Sequence, residues 1–84
     1  MEDKSYLKSA ILEVVENQLR ANDPPETKQT FERLISEGCS EKEAKELIGH
    51  VVSSEIFDVL KQQRPFNPKR YAKVLDQLPK IPGE

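Results

Sequence analysis

The apolar residues of this chain recur with the spacing of an α-helix in four separate segments. In the first segment, four of them fall on one face of a helix: Leu7, Ile11, Val14 and Val15. No segment alternates between apolar and polar residues, which is the pattern of a half-buried β-strand. The sequence therefore predicts an all-α protein, with helices over about residues 5–21, 24–37, 41–62 and 68–78, followed by a frayed tail over residues 79–84.

Capping residues between these segments predict where the helices begin and end. Asp23 stands before Pro24, and the pair fits an N-cap followed by a proline in the first helical turn. Gly38 is typical of the position after a helix C-terminus, because glycine adopts a left-handed conformation without steric cost. Ser40 precedes Glu43 by three residues, which is the spacing of a capping box. The third helix should therefore begin directly after Ser40.

The fourth helix follows a segment that contains two prolines. Asn67 is a favourable N-cap, Pro68 fits the first helical position, and Phe66 can pack against Tyr71 across the helix start. All the predicted connections are short, and helices joined by short loops pack as antiparallel or steeply crossed neighbours. Residues 1–84 are therefore expected to form one compact four-helix domain in which the long third helix is central.

The predicted third helix is apolar on most of its circumference, which is typical of a buried helix. Phe57 lies opposite the main apolar stripe, so we expect a second surface of this helix to be covered. Glu55 interrupts the main stripe, and Gln18 interrupts the stripe of the first helix in the same way. A buried carboxylate requires a partner. We therefore interpret Glu55 and Gln18 as polar residues of the core, with Glu55 bonded to Gln18 or to a basic side chain. A carboxylate tuned for acid–base chemistry is the alternative.

Composition and charge narrow the possible functions. Charged residues make up 33% of the chain, and its net charge of −2 creates no strong field that would select nucleic acid or a membrane surface. Cys39 is the only cysteine, which excludes an internal disulfide and a cysteine-based metal site. Glu13 and Glu16 interrupt the N-terminal apolar run, and no run approaches the roughly 20 apolar residues of a membrane span. We expect a cytoplasmic protein with no membrane association.

Positive charge is concentrated near the C-terminus. Residues 61–84 contain two acidic residues and six basic ones: Lys61, Arg64, Lys69, Arg70, Lys73 and Lys80. Aromatic residues lie between them, and we predict a partner-binding surface formed by Arg64, Phe66, Lys69, Arg70 and Tyr71. The expected partner is another protein or a second copy of this chain. Weak nucleic-acid binding through the basic end is the alternative, but no helix-turn-helix signature supports it.

The sequence contains no motif for catalysis or cofactor binding. It has no glycine-rich phosphate loop, no nucleophile elbow and no zinc-ligand spacing. Glu46 and His50 are one helical turn apart, which suits weak metal binding, but two ligands are too few for a specific site. We therefore predict no catalytic residue, no metal, no cofactor and no small-molecule ligand.

The stretch NQLRANDPPETKQTFERLISEGCSEKEAKELIGHVV resembles an uncharacterised bacterial all-helical family, of the domain-of-unknown-function kind. The resemblance covers most of residues 6–78. The features that carry it are Glu16-x-Gln18-Leu19, Pro24-Pro25, Glu32-Arg33-Leu34 and Glu43-Ala44. Fuller members carry histidines that look like metal ligands, including a His-Glu-Ala-x-His stretch, whereas the matching positions here are Lys8, Leu12, Lys42 and Glu46. Only Glu16 and Glu43 match that ligand pattern. The resemblance implies an all-helical fold and supplies no known activity.

These patterns together predict a non-catalytic interaction or accessory module that binds a protein partner at the Phe66–Tyr71 corner. The alternative from another functional class is a degenerate helical domain that binds metal or acts as an enzyme. Its candidate ligands are Glu16, Glu43, Glu46 and His50. Metal analysis of the purified protein distinguishes the two hypotheses, because only the second requires a bound ion.

Overall fold

Four helices and short connections make up the described part of the chain. The computed structural model describes the backbone of residues 5–80 and the side chains of residues 8–80. The helices are α1 (Ser5–Ala21), α2 (Pro25–Ser36), α3 (Glu41–Gln62) and α4 (Pro68–Leu75). No strand occurs within residues 5–80, so the predicted all-α fold is confirmed. None of these helices has the length and apolar character that crossing a membrane requires. The predicted inward position of Leu7 and most of the frayed tail lie outside the described side chains.

The ends of α2 and α4 differ from the prediction. Asp23 does not cap α2. Pro24 is the N-cap, with extended backbone angles and no side-chain cap hydrogen bond. The double proline explains this, because a residue that precedes a proline is kept out of the helical region, so Pro25 becomes the first helical residue. The second difference is that α4 ends at Leu75, and the chain continues to Leu78 in tight turns with i to i+3 hydrogen bonds.

Other helix ends follow the predicted capping chemistry. At the start of α3, the Ser40 hydroxyl accepts a hydrogen bond from the Glu43 amide at 3.1 Å, and the Glu43 carboxylate accepts one from the Ser40 amide at 2.8 Å. The Asn67 side chain accepts from two amides at the start of α4. After α2, Gly38 has a φ of 107°, and the following amide donates to the Leu34 carbonyl at 3.0 Å. The capping box, the Asn67 cap and the glycine terminator are thus all present.

The hydrophobic core is centred on α3. Nine apolar side chains are buried in it: Val15, Leu34, Ala44, Ile48, Val51, Val52, Tyr71, Leu75 and Leu78. Gly49 lies where α1 crosses α3, and a β-carbon built there would be only 3.2 Å from a methyl carbon of Ile11. A glycine at this position lets the two helices approach closely. The expected second covered surface of α3 is wrong, because the Phe57 side chain is 64% exposed.

One arginine fastens the end of α4 to α2. The Arg33 guanidinium donates to the carbonyl of Leu75 at 3.0 Å and to the carbonyl of Leu78 at 2.9 Å. Carbonyl groups at the end of a helix have no partner within the helix. Arg33 gives one further donor to the last carbonyl of α4 and one to a carbonyl of the turn after it, so both are tied to α2.

Candidate interaction groove

An open groove with mostly apolar walls lies between α1, the C-terminal half of α3 and the segment that leads into α4. Its volume is about 360 Å³. We call it the apolar groove, and its lining residues are Val14, Gln18, Val52, Glu55, Ile56, Val59, Leu60, Phe66 and Tyr71. Two of the predicted surface residues, Phe66 and Tyr71, therefore belong to it, together with both polar residues predicted for the core.

Large apolar side chains remain exposed at the mouth of the apolar groove. Leu60 is 73% exposed, Phe66 is 49% exposed and Ile56 is 43% exposed. Phe57 is also exposed on the adjacent face of α3, so four of the five large exposed hydrophobic residues in the described chain belong to residues 56–66. Single exposed hydrophobic residues are common on protein surfaces, whereas a cluster of several within eleven residues is not.

The length of α3 creates this exposed cluster. The helix has 22 residues and is therefore about 33 Å long, but its last buried residue is Glu55. The apolar spacing continues through Ile56, Val59 and Leu60, so the final two turns carry a hydrophobic stripe past the core. No helix within residues 5–80 covers that stripe fully. The left-handed conformation of Gln63, with φ of 54°, then ends α3.

The segment after α3 supplies the other wall of the apolar groove. Pro65 and Pro68 flank Phe66 and Asn67, which restricts the backbone there. The Phe66 ring packs on the Tyr71 ring with a centroid separation of 5.6 Å and an interplanar angle of 58°. Since Asn67 caps α4 directly after Phe66, the cap and the ring contact together set where Phe66 stands.

A hydrogen-bonded triad of Gln18, Thr27 and Tyr71 lies beneath these walls, and Gln18 and Tyr71 line the groove itself. The Thr27 hydroxyl donates to the side-chain oxygen of Gln18 at 2.9 Å, and the Tyr71 hydroxyl approaches the same oxygen at 3.1 Å. The two hydroxyl oxygens are themselves 2.9 Å apart. The triad therefore shares two hydroxyl hydrogens among three short contacts and joins α1, α2 and α4. Burial raises the pKa of Tyr71 above its ordinary value of 10.0, and the hydrogen bond between Tyr71 and Thr27 opposes this shift.

Glu55 is held by a basic side chain, which is one of the two partners that its position suggested. Glu55 is only 5% exposed. Its Oε1 atom accepts hydrogen bonds from Nε of Arg70 at 3.3 Å and from Nη2 of Arg70 at 3.1 Å. Arg70 also contacts Asp58 at 3.3 Å. The hydrogen bond to Glu55 raises the pKa of Arg70, so the guanidinium stays charged. Glu55 is thus tied to α4 by a basic side chain, and Gln18 is bonded to Thr27 and Tyr71.

The predicted surface residues divide into two groups. Arg64 and Lys69 are exposed, and Phe66 is half-exposed in the wall of the apolar groove. Tyr71 is only 2% exposed, because its ring fills the core and its hydroxyl joins the triad. Arg70 is half-buried and is paired with two carboxylates. Arg70 and Tyr71 are therefore less accessible than the other predicted surface residues, although Tyr71 still lines the apolar groove.

Two residues of the apolar groove were missed by the sequence reasoning. Ile56 and Leu60 carry the helical spacing of core residues, so their pattern indicates burial. The length of α3 could have shown that they are exposed, because α3 has 22 residues and its longest predicted neighbour, α1, has 17. A helix that extends past its neighbours must expose the end of its stripe.

The carboxylates considered as metal ligands have other partners in this structure. Each pairs separately: Glu46 with Lys8 at 2.7 Å, Glu16 with Lys45 at 2.8 Å, and Glu43 with Ser40 in the capping box. The Lys8 ammonium lowers the pKa of Glu46, and the Lys45 ammonium lowers that of Glu16. His50 lies with Lys8 and Glu46 at a shallow cleft. Among the residues that the structure describes, no three His, Cys, Asp or Glu side chains are grouped to hold a metal ion.

Comparisons of the chain with protein-family models, with curated protein sequences and with solved structures give no match. The resemblance to an uncharacterised bacterial helical family therefore rests on its motif residues alone and stays a prediction.

Proposed function

We propose that this domain is a non-catalytic interaction module that binds a protein partner in the apolar groove. The observation that carries the proposal is the cluster of three partly exposed hydrophobic side chains, Ile56, Leu60 and Phe66, around one groove. Exposed apolar clusters on a polar surface are typical of protein–protein contact sites. The chain as a whole is strongly polar, with charged residues making up 33% of it.

The free energy gained by burying these three side chains favours a macromolecule as the binding partner. Full burial of a large apolar side chain contributes roughly 1.5–3 kcal/mol. With the exposed fractions of Leu60, Phe66 and Ile56, covering all three contributes roughly 2.5–5 kcal/mol. Association itself costs about 4–15 kcal/mol. A ligand that contacts only these three side chains would not be held, so the partner must also cover the rim, as a protein surface does.

The floor of the apolar groove supports binding over catalysis. Gln18, Thr27 and Tyr71 bond to one another, and Glu55 bonds to Arg70. Among the described residues, no buried side-chain nitrogen or oxygen lacks a hydrogen-bond partner. A general acid or base needs a proton-transfer partner in the substrate within reach. Here the polar side chains are hydrogen-bonded to other residues of the domain, so a bound ligand would contact mainly apolar side chains of the groove.

Site-directed crosslinking followed by reconstitution tests this proposal. A photoreactive amino acid at position 60 would crosslink to the partner in cells, and the captured protein would then be purified and titrated against the domain. We expect Leu60→Ser to weaken that binding by at least about tenfold, since a buried anchor residue contributes more than about 1.4 kcal/mol. Phe57→Ser is the matched control, because Phe57 is exposed nearby but does not line the groove.

Circular dichroism would establish that both variants fold, which is expected because both side chains are mainly exposed. Equal binding by Leu60→Ser and the parent protein would overturn the proposal. So would a partner whose contacts, mapped by amide chemical shifts, lie away from the groove.

A further inference from the structure

Among the described residues, Glu55 is the only charged one that lines the apolar groove. Its side chain is 6% exposed, and its two carboxylate oxygens differ in their contacts. Oε1 accepts both hydrogen bonds from Arg70. Oε2 accepts none from any residue that the structure describes, yet no buried side-chain oxygen in that part of the chain lacks a partner. Oε2 is therefore not enclosed by the core, and it can be reached from the groove that Glu55 lines.

The charges around Glu55 leave one negative charge in excess. Arg70 is shared between the carboxylates of Glu55 and Asp58, at 3.1 and 3.3 Å, and neither carboxylate makes a salt bridge with another described residue. We call these three residues the charged cluster. The next basic residue along α3 is Lys61, whose ammonium lies 5.9 Å from the centre of the Phe57 ring, outside the groove. The charged cluster thus has two carboxylates and one guanidinium, and a further cation would complete it.

An occupant made only of hydrocarbon would bind this groove poorly. Covering the groove removes water from Oε2 of Glu55, and a charged group that is buried without a hydrogen-bond partner loses its hydration without replacement. That loss lowers the affinity by about tenfold or more, which opposes the gain from covering Leu60 and Ile56. A hydrogen-bond donor on the partner removes the penalty, and a charged donor forms the stronger bond with a carboxylate.

The single available oxygen favours an ammonium over a guanidinium. A guanidinium binds a carboxylate best when two parallel N–H groups meet both of its oxygens. Arg70 already places two N–H groups on Oε1 of Glu55, so a second guanidinium would find only one oxygen. An ammonium is a compact charge that one acceptor can bind, and the carbon stem of a lysine packs on apolar surface. The rings of Phe66 and Tyr71 line the same groove, and aromatic rings also attract cations.

We infer that the protein partner inserts a lysine side chain into the apolar groove, where its ammonium donates a hydrogen bond to Oε2 of Glu55. The inference rests on the proposed function and names the partner group that determines specificity. The carbon stem of the lysine lies against the aliphatic side chains of Val52, Ile56 and Val59, which line the groove. The ammonium balances the excess negative charge of the charged cluster. An apolar or acidic side chain in its place leaves Oε2 unpaired.

Three small probes that share one alkyl chain test the inference on the parent protein. They are n-hexylammonium, n-hexylguanidinium and n-hexanol, titrated at neutral pH and equal ionic strength, and the amide chemical shifts of residues 52–60 report their binding. We expect hexylammonium to bind about fivefold more tightly than hexanol, because only the ammonium forms a charged hydrogen bond with Glu55. Hexylguanidinium should bind more weakly than hexylammonium. This comparison does not depend on the folding of any variant.

Two variants then locate the preference for the ammonium. Glu55→Gln should remove it and leave hexanol binding within about twofold, because the amide keeps the shape of the side chain but carries no charge. Glu13→Gln is the matched control, since it removes the same charge at an exposed position beside the groove residue Val14 but does not line the groove. It should keep the preference. Circular dichroism would establish that both variants fold.

The partner captured at position 60 provides the direct test. Each lysine of its contact surface would be replaced by methionine, which keeps an apolar stem. One of these substitutions should weaken binding by about tenfold in the parent domain and by much less in Glu55→Gln, because the two residues lose the same hydrogen bond.

The outcomes separate this inference from the proposed function. Four results would overturn the lysine inference and leave the interaction module standing: equal affinity for hexylammonium and hexanol, no shift in residues 52–60 with hexylammonium, equal effects of the two glutamate substitutions, or a captured partner in which no lysine couples to Glu55. Tighter binding of hexylguanidinium would overturn it in favour of an arginine. A captured partner that binds Leu60→Ser as tightly as the parent domain would overturn both proposals.

Discussion

Replacing Arg70 with methionine should destabilise the domain more than replacing its partner Glu55 with methionine. The reason is the unequal burial of the two side chains, which are 35% exposed for Arg70 and 6% exposed for Glu55. In Glu55→Met, the remaining guanidinium still reaches solvent and Asp58. In Arg70→Met, a buried carboxylate loses its two hydrogen bonds from Arg70. The loss of stability therefore depends on which member of the pair is replaced.

The expected size of this difference follows from the buried carboxylate. Exchanging a buried charge for hydrocarbon of similar volume is often nearly neutral, so Glu55→Met should change the free energy of unfolding by less than about 1 kcal/mol. Leaving the Glu55 carboxylate buried without its partner costs on the order of 3 kcal/mol. For a domain of this size, 1 kcal/mol shifts the melting temperature by about 4–8 °C. A difference of roughly 10–20 °C between the two variants is therefore expected.

Thermal and urea melts followed by circular dichroism at neutral pH measure this difference. The double variant, Glu55→Met with Arg70→Met, should recover most of the stability that Arg70→Met loses, because it removes the unpaired charge. Asp58→Asn is the matched control, since it removes the exposed partner of Arg70 and leaves the buried one. Equal melting temperatures for the two single variants, or a less stable Glu55→Met, would refute the reasoning.

Three further predictions concern the helix starts and the buried triad. Asn67→Ala should lower the free energy of unfolding by about 1 kcal/mol, because two amides of α4 lose their cap, and a lower urea midpoint would show it. Tyr71→Phe should cost about 1 kcal/mol in the same assay. The raised pKa of Tyr71 also means that the parent protein keeps this stabilisation below about pH 10.0 and loses it as the pH rises through the folded-state pKa. Hydrogen bonds from Ser40 lower the pKa of Glu43. The stabilisation that Glu43 gives is therefore present above about pH 4.5 and is lost as the pH falls through the folded-state pKa. Melts of Glu43→Gln should show a stability that depends less on pH in that range.

Each of these predictions has a result that contradicts it. An unchanged midpoint in Asn67→Ala would mean that the cap does not stabilise α4. Alkaline melts in which Tyr71→Phe and the parent protein lose stability equally above pH 10 would remove Tyr71 as the source. For the acidic range, Glu41→Gln is the control, because it removes an exposed carboxylate outside the capping box. An equal effect of the two glutamate substitutions would show that the capping box is not responsible.

The arrangement of helices was largely predictable from local sequence. Apolar spacing identified all four helices, and the capping box at Ser40 and the cap at Asn67 fixed two of their starts. These features depend on neighbouring residues, so they can be recognised without knowledge of the fold. The start of α2 was predicted wrongly, because two consecutive prolines offer two possible first positions and only the restriction on Pro24 selects between them.

The candidate site was less predictable because it depends on contacts between distant segments. The position of Glu55 in an apolar stripe indicated burial, but its partner Arg70 is 15 residues away on another helix. The exposure of Leu60 depends on how far α3 extends past α1, which is set by helix lengths and crossing geometry. Periodicity identifies which side chains are apolar and share a face. It does not show whether another helix covers that face.

The projecting end of α3 has a consequence for the local stability of the domain. Regions with few buried apolar contacts open with a lower free energy than the core, and their amide hydrogens exchange with solvent sooner. The last two turns of α3, which carry Ile56 and Leu60, meet that description, whereas the side chains of Ile48 and Val51 are fully buried. A partner that binds the groove only while these turns are helical stabilises them against local opening by its binding free energy. Partner binding would then appear first as slower amide exchange in residues 56–62, before any change in the core.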